Sequence, residues 1–334
     1  MLTRFAAKAF ANGFFAVIAI TILMSVASER RDEALNTVRD FWVDDYMQSL
    51  KDEAKVALAL ERKTGDPMPL IHLLGSSSWE KLGLGDRAYS IKRKMLARLC
   101  LNLQQQGDYE SLIKWSDVWL SMNDRDLDAR AFWFEGIRHS PEKESEGFEG
   151  LIANYHDFPQ NLYLQRFLAA AYLDRGDTDA AARTARSMVS EVLSDWQIFW
   201  TTSDSEFFSE SRSARVAFSR GDGAEVTLPI DLPANTTSVR IDLPPGSHLR
   251  IHNLESGIGE VRRKVDFNEV RLSQMRYEDE TLVASGGKDP YFVLPIESIG
   301  QADPDAKIVV TLHLQISVVI LGHELGVTEF FSET

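Results

Sequence analysis

The feature that most constrains this chain is an uncharged, mostly apolar run from Ala9 to Ser28, bounded by Lys8 and Glu29. At a rise of about 1.5 Å per residue, roughly 20 helical residues span the hydrocarbon core of a bilayer, which is about 30 Å thick. No comparably long uncharged apolar run occurs later in the sequence. We therefore expect residues 1–28 to form a cytoplasmic stub and a single transmembrane anchor.

The charges around this run predict its orientation. Arg4, Lys8 and the amino terminus precede it, whereas a strongly acidic chain follows it. Because positively charged flanks stay in the cytoplasm, the N-terminus is expected inside and everything after Ser28 outside the cytoplasm. In a bacterium, this arrangement is a single-pass inner-membrane protein with the bulk of its chain in the periplasm.

Two other interpretations of the run compete with the anchor. The small residues of Ser25-Val26-Ala27 satisfy the pattern of a cleaved secretory signal. However, the run is longer than a usual signal core, and Arg30 and Arg31 follow the cleavage position directly. The other interpretation is a buried helix of a globular domain, but helices of soluble proteins normally have one apolar stripe, whereas residues 14–24 are apolar on every face except at Thr21.

Net charge and cysteine content exclude some classes of protein. The formal net charge is −14 at pH 7, so nucleic acid and anionic lipid surfaces are not expected as partners, because phosphate binding requires a cationic face. Cys100 is the only cysteine. This excludes an intrachain disulfide and predicts a small buried residue in a helix.

Hydrophobic periodicity divides the remaining chain into segments. Residues 29–65 are predicted to form one long juxtamembrane helix, because apolar residues recur at spacings near three and four until Gly65-Asp66-Pro67 ends the pattern. Residues 66–200 are predicted to be helical, and residues 201–223, rich in Ser, Asp and Glu, to be a linker. In residues 224–334 the period becomes two, which indicates an antiparallel β-sandwich. The predicted fold class is multidomain α plus β.

The strands of the sandwich are predicted from alternation and from the Gly and Pro turns between them. Pro233-Ala234-Asn235 and Pro244-Pro245-Gly246 separate the early candidates. The candidate strands are Val226–Ile230, Val239–Leu243, Leu249–Ile251, Val265–Leu272, Thr281–Ala284, Tyr291–Leu294 and Ile308–Ile320. Six or seven short strands of this kind are typical of a sandwich.

An internal repeat indicates how the helical segment is built. Gly107-Asp108 and Gly176-Asp177 are separated by about twice a 34-residue helix-turn-helix period. Large, small, aromatic and turn residues recur around them: Leu168-Ala169, Tyr172, Gly176, Ala181, Ala185 and Met188 in one copy, and Leu99-Cys100, Leu103, Gly107, Leu112 and Trp119 in another. A middle copy from about Asp128 to Pro159 has Phe134 and Gly136, but its turn at residues 140–143 lacks the glycine. The stretch from about Arg93 to Ser194 therefore resembles the tetratricopeptide-repeat family, whose α-α superhelices bind proteins.

The resemblance implies a binding face on the inner side of the superhelix. In that family the first helix of each repeat lines the concave surface, and the matching positions here are Lys94, Ala97, Gln104, Phe132, His139, Tyr163 and Arg166. Such a mixed groove would suit an extended acidic or polar segment of a protein partner. The alternative is that these are ordinary solvated side chains, since aromatic richness alone does not establish a binding face.

The β-sandwich carries a second resemblance. Val239–Ile251 reads VRIDLPPGSHLRI, and Gly286–Pro295 reads GGKDPYFVLP. These stretches are similar to β-sandwich units attached to bacterial cell-surface polysaccharide glycosyltransferases. The resemblance implies an accessory role in envelope glycan assembly, and it identifies no catalytic residue.

The search for catalytic or metal-binding residues yields no candidate. His248 and His252 are four residues apart, but on a strand that spacing separates side chains by about 13 Å, too far to share one ion. Acidic clusters such as Asp44-Asp45, Glu278-Asp279-Glu280 and Asp303-Pro304-Asp305 lack the spacing of a known calcium loop. No nucleophile motif, phosphate loop or dinucleotide fingerprint stands in a supporting context. We therefore expect no enzyme activity, cofactor or metal site.

Two classes of function remain. The first is a membrane-anchored, extracytoplasmic scaffold or adaptor that binds protein partners through its helical repeats, in a cell-envelope assembly. The alternative is a glycan-binding accessory subunit of a polysaccharide synthesis or export complex, in which the sandwich contacts polysaccharide. Direct binding to polysaccharide would favour the second, and co-purification with one membrane complex without sugar binding would favour the first.

Overall fold

The structure is a computed structural model that describes residues 31–76, 85–194, 196–202, 207–221, 225–233, 235–258, 261–295 and 308–327. The transmembrane run predicted at residues 9–28 lies outside these ranges. Among the described residues, none of the helices combines the length and the apolar composition that a bilayer crossing requires. The chain forms two compact units, which divide between Gly136 and Ile137. It is a mixture of α-helices and antiparallel β-sheets, as predicted.

The first unit is helical and begins with the long helix that the periodicity predicts. Its helices are α1 (Arg31–Thr64), α2 (Met68–Leu74), α3 (Gly85–Gln106), α4 (Tyr109–Met122) and α5 (Leu127–Arg138), the last of which continues into the second unit. α1 contacts α2 and α3, and its buried stripe consists of Met47, Leu50, Ala54 and Ala57. The helix stops before Gly65, whose φ of 70° few other residues adopt without strain.

A buried carboxylate fixes the end of α1 on α3. The fully buried Glu61 accepts hydrogen bonds from Arg98 Nε at 2.6 Å and from Asn102 Nδ2 at 2.8 Å. Asn102 Nδ2 also donates to the Gly65 carbonyl at 3.0 Å. Because a buried carboxylate without partners is strongly destabilising, these contacts determine where α1 lies along α3.

The second unit starts with three further helices and continues into the β-sandwich. The helices are α6 (Glu144–Asp157), α7 (Leu162–Asp174) and α8 (Thr178–Ser194), and α7 packs on both α6 and α8. Where α6 approaches the end of α5, a Cβ at Gly147 would lie 2.5 Å from the Arg138 amide nitrogen. Only glycine permits so close an approach.

The two Gly-Asp pairs of the sequence form the same turn. Gly107 and Gly176 have φ of 71° and 75°, and the amide of each donates to the carbonyl three residues before it. The amide of the following aspartate donates to the carbonyl five residues before it, which completes a Schellman motif. The Asp108 and Asp177 carboxylates then accept a backbone amide three residues ahead and cap the next helix. The predicted repetition of this turn is therefore confirmed.

The β-sandwich contains two antiparallel sheets. Its strands are β1 (Trp196–Thr202), β2 (Ser213–Val216), β3 (Ser219–Arg220), β4 (Val226–Leu232), β5 (Thr236–Asp242), β6 (His248–Ile258), β7 (Val261–Lys264), β8 (Arg271–Ser273), β9 (Met275–Glu278), β10 (Thr281–Ser285), β11 (Tyr291–Pro295), β12 (Ile308–Ile320) and β13 (His323–Gly326). One sheet has the order β2-β1-β5-β11-β8. The other has the order β3-β4-β12-β6-β10-β9, with β13 beside β12 and β7 beside β6.

Two segments differ from the sequence prediction. Residues 196–202 were predicted to be helical or linker, but they form β1, with Trp196 and Ile198 fully buried. β2 and β3 also fall within the predicted linker, so the sandwich begins well before residue 224. Residues 265–272 were predicted to be one strand. Instead they contain a 3₁₀ turn at Phe267–Glu269, which buries Phe267 and leaves only the short β8 after it.

The α7–α8 hairpin and the sandwich share one hydrophobic core. Small helix residues cluster with buried residues of both sheets: Ala169, Ala170, Ala182 and Ala185, with Val189 and Leu193 beside them. At the end of α7, the Asp174 carboxylate pairs with Arg138 Nη1 at 2.6 Å and with His323 Nε2 at 3.0 Å. Since His323 belongs to β13, this pair connects the hairpin to the sandwich at a second point.

Candidate ligand-binding cleft

A cleft of about 610 Å³ lies between the α7–α8 hairpin and the β-sandwich of the second unit. α7 contributes Leu162, Tyr163 and Arg166, which share one face at helical spacing. The other walls come from α8, the β5–β6 turn, β6 and β12, and are mostly apolar: Met188, Val192, Ser194, Pro244, Pro245, Gly246, His248, Val318 and Val319. This volume is within the range of ligand sites in proteins.

Local structure holds both sides of the cleft in place. Asn161 caps α7 by accepting a backbone amide of its first turn at 3.0 Å, so the helix begins at the edge of the cleft. Tyr163 stacks on Phe167 with ring centroids 6.0 Å apart. In the β5–β6 turn, the buried Ser247 hydroxyl donates to the Pro244 carbonyl at 2.6 Å. These contacts keep the apolar walls in one arrangement.

Arg166 is the positive charge of the cleft. Its side chain is half-buried, and burial lowers the pKa of its guanidinium, an effect that the neighbouring Tyr163 partly opposes. The guanidinium remains charged at any physiological pH. Among the residues that the structure describes, no carboxylate forms an ion pair with Arg166.

His248 supplies a second polar group to the cleft. Burial lowers the pKa of its imidazole below the ordinary value of 6.5, and the Arg166 charge lowers it further. The imidazole is therefore neutral at pH 7 and can form a hydrogen bond without adding a second charge. Gly286 leaves room for the ring, because a Cβ at that position would lie 2.7 Å from His248 Nε2. At neutral pH the polar groups of the cleft thus carry one positive charge.

The predicted partner-binding residues of the first unit do not all lie on a surface. Lys94 is exposed and Ala97 is half-buried. Gln104 is 7% exposed and Phe132 is fully buried, where its ring lies 6.3 Å from that of Trp119. The prediction that Phe132 and Gln104 line an open groove is therefore not retained, because neither side chain is accessible to a partner.

In the second unit, the structure brings two predicted residues together with one that the sequence did not suggest. Tyr163 and Arg166 lie in the cleft, and His139 is exposed outside it. His248 was considered only as half of a metal pair with His252. No local pattern indicates its role, because the hairpin meets β6 only through the tertiary fold. The alanine-rich faces of α7 and α8 could have indicated that the hairpin packs closely on another element. The same faces also fit the packing of the two helices on each other.

A second polar cluster on the sandwich has the residue types of a catalytic triad but not its geometry. His252 Nε2 lies 2.8 Å from the Ser317 hydroxyl and 3.1 Å from Glu324 Oε2. In a nucleophilic triad the serine and the acid contact opposite ring nitrogens, whereas here both contact the same one. Arg250 Nε also pairs with Glu324 at 3.2 Å. The cluster therefore connects β6, β12 and β13 and does not activate a nucleophile.

Comparison with known proteins gives no family for this chain. No family model matches the sequence, and no curated protein matches it either. The resemblances to the tetratricopeptide-repeat family and to the glycosyltransferase-associated sandwich therefore stay predictions. Among the described residues, no group of three or more His, Cys, Asp or Glu side chains is arranged to hold a metal ion.

Proposed function

We propose that this chain is a membrane-anchored adaptor whose folded part lies outside the cytoplasmic membrane and binds a protein partner in the α7–α8 cleft. The anchor and its orientation rest on the uncharged run at residues 9–28 and on the charges that flank it. Helical hairpins with the same Gly-Asp turn occur in both units and support a scaffold, because repeated helical hairpins are a common framework for binding proteins.

The observation that carries the proposal is that Arg166 forms no ion pair with a carboxylate of the described residues. Removing a cation from water without a counter-ion raises its free energy, and a carboxylate that a ligand brings into the cleft would offset that cost. Two other arginines of the same unit with little solvent exposure are each paired with a carboxylate. Arg138 Nη1 lies 2.6 Å from Asp174, and Arg240 Nε lies 2.6 Å from Asp242. Arg166 differs from them in having no such partner among the described residues.

The walls define what else the partner segment must carry. Leu162, Val192 and Val318 surround the charge with aliphatic surface, so the segment places an acidic residue between apolar ones. The polar groups of the cleft are one guanidinium, one neutral imidazole and the hydroxyls of Tyr163 and Ser194. The activity that we propose for it is binding, because a single cation among apolar walls suits an acidic segment.

Site-specific photocrosslinking in intact cells tests this proposal. The full chain would carry p-benzoylphenylalanine at Tyr163, in the cleft, or at Tyr277, an exposed strand residue outside it. We expect a protein adduct from position 163 and not from position 277. Arg166→Glu should reduce the adduct at least about tenfold, since it replaces an attraction by a repulsion.

The control for this experiment is Arg183→Glu, which makes the same charge change on the exposed side of α8. It should leave the adduct unchanged. Equal adducts from positions 163 and 277, or an adduct insensitive to Arg166→Glu, would contradict the proposal. Retention of the purified chain by extracellular polysaccharide, with no protein adduct, would favour the alternative function of a glycan-binding accessory subunit.

A further inference from the structure

A second surface, opposite in charge to the cleft, lies in the first unit. α1 and α2 form a groove of about 740 Å³. Its apolar part consists of Val56, Ala57 and Leu60 from α1 and of Pro69 and Leu73 from α2. Single exposed apolar residues are normal on a protein surface, but a contiguous group in a concave site indicates a binding surface.

The exposure of this apolar group is large for aliphatic side chains. Val56 is 68% exposed and Leu60 is 45% exposed. They are four residues apart on α1 and therefore neighbours on one helix face. Leu50 and Ala54 form part of the buried stripe of α1. Val56 and Leu60 lie beside that stripe, so the apolar surface of α1 continues from its buried part into the groove, where it stays exposed among the described residues.

The rim of the groove is acidic. Asp45, Asp52 and Glu53 line it from α1. Asp52 pairs with Lys55 at 3.4 Å, but both side chains are more than half exposed, so this pair neutralises little of the charge. In the described part of the chain, no basic side chain forms an ion pair with Asp45 or Glu53. The groove therefore combines an aliphatic floor with a negatively charged edge.

We infer that the α1–α2 groove binds a basic amphipathic helix of a second protein partner. Such a helix would place its apolar side chains on Val56 and Leu60 and its Lys or Arg side chains beside the acidic rim. A second copy of this chain fits less well, because an isologous contact would bring two acidic rims together. An anionic lipid surface is disfavoured for the same electrostatic reason.

This surface adds to the proposed function and does not depend on the cleft. An adaptor needs two separate binding sites, and here one site selects an acidic segment and the other a basic one. The opposite charges of the two sites would keep each partner from occupying the wrong site.

Photocrosslinking from the groove tests the inference. The full chain in its native membrane would carry p-benzoylphenylalanine at Val56, or at Lys51, which is exposed and does not line the groove. We expect an adduct from position 56 only. Mass spectrometry of the crosslinked peptide should identify a segment with Lys or Arg on one helical face and aliphatic residues on the other.

Two variants separate the apolar contribution from the charged one. With the probe placed at Leu73, Val56→Asp should reduce the adduct at least about tenfold, because it removes apolar contact and adds a charge. Glu53→Lys should reduce the adduct and also its sensitivity to ionic strength. The matched control is Val118→Asp, at a valine of α4 that is 39% exposed and lies outside the groove. Because Val56 is 68% exposed, Val56→Asp should change the thermal unfolding temperature little, and the same measurement on Val118→Asp verifies that the control variant is folded.

Each other outcome contradicts the inference in a recognisable way. An adduct with a second copy of this chain would show that the groove is a dimer contact, and an adduct with lipid alone would show a membrane contact. If the probe at position 163 captures a partner and the probe at position 56 captures none, this inference is wrong and the proposed function stands. If the probe at position 56 captures a basic helix and the probe at position 163 captures no protein, the inference stands and the proposed function is wrong.

Discussion

At the scale of single residues, Asp126 shows how polar contacts hold the first unit together. Its buried carboxylate accepts hydrogen bonds from Tyr89 Oη at 2.6 Å, Arg93 Nε at 2.7 Å and Trp119 Nε1 at 3.2 Å. Its other oxygen caps the first turn of α5 by accepting the amide of Ala129. One side chain therefore connects α3, α4 and α5.

The connections of Asp126 predict an acid-sensitive contribution to stability. Burial alone raises the pKa of this carboxyl, but the hydrogen bonds from Arg93 and Tyr89 outweigh burial and hold the pKa below its ordinary value. The contribution is therefore complete above the unfolded pKa, about 4, and is lost as the pH falls through the lower folded value. Asp126→Asn should lower the free energy of unfolding by about 2–3 kcal/mol at neutral pH.

Urea unfolding of the full chain in detergent, followed at two pH values, checks this prediction. The difference in the free energy of unfolding between the wild-type chain and Asp126→Asn should become smaller when the pH is lowered below the ordinary pKa of a carboxyl group. The control is Asp124→Asn, at an exposed residue near Asp126, which should change stability by less than about 0.5 kcal/mol. A difference that stays constant between neutral pH and acid would exclude the charge of Asp126 as its cause.

At the scale of elements, the Gly-Asp turns combine the end of one helix with the start of the next. A Cβ at Gly176 would meet no atom within 4 Å, so the requirement for glycine is conformational rather than steric. Gly176→Val should therefore destabilise the second unit by about 1–2 kcal/mol, the cost of a left-handed backbone for a β-branched residue. Gly176→Asn should retain most of the stability, since asparagine tolerates this conformation. Thermal unfolding of both variants measures this. An equal loss of stability in the two variants would mean that the left-handed backbone at residue 176 is not the cause of the destabilisation.

The elements also show what the sequence can and cannot predict. The two turns at Gly107 and Gly176 are local, because their hydrogen bonds join residues at most five apart, and the sequence predicts both. Cys100 is buried in α3, also as predicted. By contrast, β1 depends on pairing Trp196 with Val216 and Ile198 with Ile241. A short apolar run is compatible with helix or strand, and distant partners decide between them.

The same reasoning applies to the candidate sites. The resemblance to the tetratricopeptide-repeat family suggested Tyr163 and Arg166 as neighbours on one helix face, and both line the cleft. Helical spacing did not show that Phe132 is in the core, because core and groove positions have the same period. His248 joins Arg166 only where a strand meets the α7–α8 hairpin. A site made by two elements distant in sequence is predictable only once their packing is known.

At the scale of the whole molecule, the α7–α8 hairpin and the sandwich of the second unit share one hydrophobic core. Ala169, Ala185 and Val189 belong to the same buried cluster as Leu228, on β4, and Leu312, on β12. Because the cleft is the gap at the edge of this shared core, its shape depends on the hairpin and the sandwich folding together. A partner that binds there would stabilise both at once.

This shared core predicts one cooperative transition for residues 137–334. Leu193, at the end of α8, is 6% exposed in the cluster, and Leu193→Ala should lower the free energy of unfolding by about 2–5 kcal/mol. Hydrogen exchange of the full chain in increasing urea measures where the loss appears. Peptides from α7 and α8 and peptides from β6 and β12 should shift together, because the lost contacts belong to one core.

The matched variant is Leu112→Ala, at a fully buried leucine of α4 in the first unit. It removes the same atoms from another core, so its main effect should appear in α3 and α4. If Leu193→Ala exposed α7 and α8 at a lower urea concentration than the sandwich strands, the hairpin would be an independent folding unit. The cleft would then open without loss of the sandwich, and Arg166 would lose its apolar surroundings whenever the hairpin detached.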